Sequence, residues 1–212
     1  MAITDGIIGI KALVRRILAW RVSWRAYLFA IGYPFFLAFL PLIIFSVIGG
    51  PPVPYQNLAR LPQLFPIFLT MLFAGGLNEE PGWRGFALPR LREQYGPLVA
   101  SLVLGALWGS WHIPLYIGSG IPLVSLIGFI ILVTLISVIF TALANATRDS
   151  VLIAVVFHAA YNTFIPLLTG LLGIARLPQH QMITILLVVV SVFATLWYWR
   201  SFPDNSHKAR KT

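Results

Sequence analysis

The sequence predicts an all-α fold, a polytopic membrane helix bundle of about six transmembrane helices behind an N-terminal amphipathic interfacial helix. Three observations carry that prediction. Of 212 residues, 58% are hydrophobic and 10% are charged, with a mean hydropathy of +0.86, whereas a soluble domain carries about 25% charged residues. Six apolar blocks are long enough to cross a hydrocarbon core of about 30 Å, which takes roughly 20 helical residues. Finally, Lys and Arg concentrate between those blocks. A net charge of +9 therefore marks orientation across a bilayer rather than a nucleic-acid surface. Soluble, disordered and disulfide-scaffold classes are excluded, and the absence of cysteine removes thiolate nucleophiles and Cys-ligated zinc.

The elements follow in order. Residues 7–25 (IIGIKALVRRILAWRVSWR) gather Lys11, Arg15, Arg16, Arg21 and Arg25 toward one side of a helix, with Ile, Leu, Val and Trp elsewhere. That is the pattern of a helix lying on an anionic leaflet. The next apolar block is too long for a signal peptide, and no clear small-residue cleavage site closes it. Spans are expected at 26–48, 62–80, 98–117, 122–145, 151–172 and 181–200. GGPPVP at 49–54, Gly96-Pro97, Gly118 to Pro122 and Asn145 to Ser150 punctuate them. No internal repeat is visible, which argues against a transporter built from duplicated halves. An even number of crossings puts thirteen of the fifteen Lys and Arg on one face, against Arg60 and Arg176 on the other. The basic face is expected to be cytoplasmic, with both termini on it. The chain thus divides into an interfacial segment, 1–25, a membrane domain, 26–200, and a basic cytoplasmic tail, 201–212.

Within the apolar blocks ionisable groups are few, and lipid makes each of them expensive. Glu79 and Glu80 end the second block. Arg84 stands one helical turn after Glu80, so a continuing helix pairs those two and leaves Glu79 without a local cation, available as a base. His112 lies deep in the third block with Trp108 one turn before it, and Gly105 and Gly109 form a small-xxx-small stripe for close helix approach. His158 and Asn162 share a face of the fifth block, where an imidazole and an amide offer donors to an oxygen gaining negative charge. Each group taken singly also suits a helix end in headgroups or an interhelical hydrogen bond. Taken together, a carboxylate, two imidazoles and an amide point to hydrolysis of an acyl or peptide bond by activated water.

Glu79-Glu80-x-x-x-Arg84, Trp108-x-x-x-His112 and His158-x-x-x-Asn162 resemble, in that order, the motifs of the CPBP family of intramembrane proteases. That family includes CAAX prenyl endopeptidases and bacteriocin-processing or self-immunity proteins. The resemblance extends over roughly residues 5–172 and includes GWRGFALPRL after the Glu pair. It implies that 26–200 is an intramembrane protease domain and that Glu79 activates water with help from His112. By the same resemblance Glu80 pairs with Arg84, and His158 and Asn162 hold the oxyanion. Trp108 stands where the family usually has Phe, and should keep the packing role. Family members commonly have further spanning helices before the basic segment and this sequence begins almost at it, as expected of a short member or of a truncated start. No cofactor is favoured: HExxH spacing is absent, although Glu79, His112 and His158 would be the ligands of a zinc site. Expected partners are membrane lipids and a peptide or protein substrate in or near the membrane, without nucleic acid. The expected location is a bacterial plasma membrane. The competing reading is a non-proteolytic membrane protein, such as a bacteriocin self-immunity factor or a small transporter, since a proton-coupled transporter also needs buried Glu and His.

Overall fold

The computed structural model describes residues 2–48, 59, 61–120, 122–165 and 178–201. All regular structure among them is helical. Helix α1 spans Ala2–Ile17, interrupted at Gly6 (φ 57°, ψ −149°), a left-handed position that only glycine adopts without strain. It ends well before Arg25, the limit read from the sequence. Helix α2, Trp24–Val47, retains Pro34 and Pro41 in its interior. The GGPPVP break lies outside the described residues.

A 3₁₀ turn at Leu61–Gln63 opens a long helical run. It consists of α3 (Leu64–Met71), a π-helical turn (Leu72–Leu77), α4 (Asn78–Gly82), a second π-helical turn (Trp83–Ala87) and α5 (Leu88–Trp111). The connection between the second and third expected spans, 81–97, is itself helical up to Gly96. Pro81 removes a backbone donor, and the widened turns on either side take up the interruption without ending the helix. The break falls instead at Gly96 (φ 76°, ψ 170°), immediately before Pro97, as the Gly-Pro pair predicts. Helices α6 (Ile113–Gly118), α7 (Leu123–Ala146), α8 (Val151–Thr163) and α9 (Pro178–Ser201) follow.

The Gly105/Gly109 stripe finds its partner in α7. A Cβ on Gly105 would stand 2.6 Å from Thr134 Cα, and one on Gly109 would stand 3.0 Å from Ile130 Cα. The two backbones are thus in direct contact, which only bare glycine permits. Leu37, Trp108, Ile136, Phe140, Phe157 and Val188, from α2, α5, α7, α8 and α9, form the core. Outward faces carry Phe36, Phe65, Phe73, Leu107, Trp111 and Val124, all more than half exposed. An outer surface so apolar suits lipid and not water. Among the described residues two runs, Leu61–Gly118 and Leu123–Ala146, are long and apolar enough to cross a membrane, the first of them bent at Gly96.

Candidate active site

The two π-helical turns bracket Glu79 and Glu80, so the helix that carries them is locally rewound rather than regular. Such turns often mark functional sites. Glu80 is fully buried, and its Oε1 takes two contacts: Arg84 Nη1 at 3.0 Å from the next turn, and His158 Nδ1 at 2.6 Å from α8. The Glu80–Arg84 pairing matches the helical spacing. The contact with His158 goes beyond it, because Glu80 joins the first motif to the third. Arg84 is 2% exposed, lies 3.9 Å from the Phe140 ring centroid and 4.4 Å from that of Trp108, and is held between the two aromatic faces. Glu80 Oε2 and Arg84 Nε and Nη2 are buried without hydrogen-bond partners among the described residues.

Trp108 does more than the packing expected of it. Its indole N–H donates to Glu79 Oε2 at 2.6 Å, tying the second motif to the first, while its ring lies edge-on to His158 with centroids 5.3 Å apart. Phe in this position has no such donor. Glu79 Oε1 carries no hydrogen bond among the described residues and remains open to another donor. Glu79 itself is half-buried, unlike Glu80.

His112 closes α5, with its Nδ1 2.9 Å from the Trp108 carbonyl. A carbonyl only accepts, so Nδ1 carries the proton and Nε2 presents a lone pair. Its ring packs edge-on against Phe129 on α7. No hydrogen bond joins His112 to Glu79 among the described residues; Trp108 stands in contact with both.

On α8, Ser150 caps the helix by accepting from Ile153 N–H, which fixes the rotation that turns His158 and Asn162 inward. A Cβ on Gly75 would lie 3.1 Å from Asn162 Nδ2 and 3.4 Å from His158 Nε2. Both nitrogens therefore border the same space, which glycine leaves open. Gly76 beside it brings the turn against Val155, whose carbonyl would be 2.6 Å from an added Cβ. Gly75 and Phe140 were not expected as site residues. The Gly-Gly pair just before the glutamates was the available signal for the first, while Phe140 is indistinguishable from its apolar neighbours in sequence.

The zinc set is not assembled. Among the described residues Glu79, His112 and His158 do not converge as a three-ligand group.

Fold and site define a membrane helix bundle whose buried Glu–Arg–His centre joins the helical run of Glu80 and Arg84 to α8. Residues 61–164, the segment holding all three motifs, match the family model described as type II CAAX prenyl endopeptidase Rce1-like. The "CAAX prenyl protease 2" of Methanococcus maripaludis is 28% identical over 110 residues, covering 48% of this chain and 39% of that protein. Both matches agree with the CPBP resemblance carried by the three motifs. The chain spans well under half of the curated relative's length in that match. No solved structure matches it.

Proposed function

We propose that this chain is a CAAX-type intramembrane endopeptidase using a glutamate-activated water. The observation that carries the reading is the meeting of the three motifs, through the Trp108–Glu79 and Glu80–His158 contacts. Trp108 fixes one oxygen of Glu79. The other oxygen accepts a proton from a water, whose oxygen then bonds to the scissile carbonyl carbon. His112 Nε2, with its lone pair free, accepts from the same water and orients it. As the carbonyl becomes an oxyanion, Asn162 Nδ2–H donates to it beside Gly75. His158 joins as a second donor when Nε2 also carries a proton, with Nδ1–H on Glu80 and the Glu80 carboxylate as counter-charge. Glu79 passes its proton to the departing amine as the C–N bond breaks, leaving a carboxylic acid and an amine. Glu80 and Arg84 touch no reacting atom in this scheme; they position His158.

The family model and the name of the archaeal relative support prenylated C-terminal peptides as the first substrates to try. Integral insertion by six crossings, with both termini cytoplasmic and a bacterial plasma membrane as the site, completes the proposal. The test is cleavage of a prenylated, internally quenched peptide by the purified chain, paired with N-terminal proteomics of membranes holding wild-type or Glu79→Gln protein. Glu79→Gln should abolish cleavage and leave folding in detergent nearly unchanged. A fully active Glu79→Gln protein would remove the mechanism.

A further inference from the structure

Helix α1 has an inner face and an outer face of different chemistry. Inward, Gly9 is buried, Leu13 packs so tightly on Gly85 that a Cβ there would lie 2.4 Å from Leu13 Cδ1, and Arg16 Nη1 donates to the Gly85 carbonyl at 3.1 Å. Just beyond the helix, the Ala19 carbonyl accepts from Ser150 Oγ at 2.7 Å. The N-terminal segment therefore holds two supports of the site at once. One is the π-helical turn that carries Arg84; the other is the residue that caps the helix of His158 and Asn162.

Outward, Lys11 and Arg15 are exposed beside Ile7 at 71%, Ile8 at 82% and Leu18 at 67% exposure. Beyond the helix, Arg21 and Arg25 each lie over a largely exposed tryptophan, Trp20 and Trp24. Bare isoleucines interleaved with cations do not suit a nucleic acid, which would leave the apolar side chains in water. The boundary between headgroups and acyl chains takes both kinds of side chain, and an anionic leaflet complements the charge.

We propose that the outward face of α1 docks on anionic lipid headgroups, and that this contact holds the Trp83–Ala87 turn and the α8 cap in their working positions. Anionic lipid then sets the geometry of Glu80, Arg84 and His158. The docking stands on the helix alone; the effect on the site rests on the endopeptidase reading above.

The full-length chain is reconstituted in vesicles of phosphatidylcholine alone and of an equimolar phosphatidylcholine–phosphatidylglycerol mixture. Amide hydrogen exchange of α1 and of 83–87 is followed together with cleavage of the prenylated reporter. Exchange in both segments should slow in the anionic vesicles, and cleavage should rise about fivefold, the effect of roughly one basic residue's attraction to the anionic surface. The double variant Lys11→Gln/Arg15→Gln should lose both responses while keeping the rate seen in phosphatidylcholine, and high salt should erase them in the wild type. Equal exchange in the two vesicles, or an unchanged response in the double variant, overturns the docking surface. Slower exchange with equal cleavage overturns the coupling to the site. A lipid-dependent exchange in a protein that cleaves nothing overturns the endopeptidase reading and leaves the docking surface standing.

Discussion

Asn162 and Gly75 form a pair whose chemistry is a matter of a few tenths of an ångström. The amide nitrogen would be 3.1 Å from a Cβ on Gly75, so the glycine keeps the approach to that donor free. A donor used mainly in the transition state shows itself in turnover rather than in substrate binding. Asn162→Ala is expected to lower kcat by about two to three orders of magnitude with little change in KM. Gly75→Val, which fills the space in front of both nitrogens, should lower kcat comparably while Asn162 and His158 remain present. Steady-state kinetics on the prenylated reporter decides both. The proximity of Glu80 to His158 is equally local. It gives the two adjacent glutamates different surroundings: Glu79 accepts from Trp108, and Glu80 anchors the imidazole and the guanidinium.

At the scale of elements, the contact of α5 with α7 leaves no room for a side chain on Gly105. Gly105 meets backbone atoms of Thr134 and the Cβ of Ser137, none of which yields as a flexible side-chain tip would. Gly105→Leu should therefore destabilise the bundle by about 1–3 kcal/mol or more. Its loss of activity should track the loss of folded protein in a detergent thermal melt. Gly128, which has nothing within 4 Å of an added Cβ, supplies the contrast, and Gly128→Ala should melt as the wild type does. The helix through Glu79 and Glu80 behaves differently from either. Its π-helical turns shift the register of the side chains, so regular 3.6-residue spacing does not place Glu79 against Trp108.

At the scale of the whole molecule, the Asn145–Ser150 loop is tied to the bundle by Arg92, which bonds Asp149 at 2.7 Å and also reaches Asn145. Arg148 and Asp149 both adopt positive φ, 54° and 62°, in a tight reversal between α7 and α8. The chain lacks cysteine, so single substitutions report orientation cleanly. Cysteine at exposed Arg148 is expected to label from the cytoplasmic side, and cysteine at exposed Ser119, at the other end of α7, from the opposite side. Labelling of both from one side would break the orientation argued from the distribution of Lys and Arg.

The sequence by itself determined the helical class, the membrane solvent and the residues on which chemistry is expected. Each of these follows from composition, the length of apolar runs and i, i+4 spacing, all local properties of the chain. The Gly96-Pro97 break and the close-packing role of Gly105 and Gly109 were legible for the same reason. Tertiary structure alone decided which glutamate touches which histidine, that Trp108 donates to Glu79, and that Gly75 opens the space before Asn162. It also decided that the connection between the second and third expected spans stays helical up to Gly96. These outcomes depend on the phase of two π-helical turns and on the approach of α8 to α3, α4 and the turn between them. That phase is set by packing across helices far apart in sequence, and spacing within one helix does not encode it.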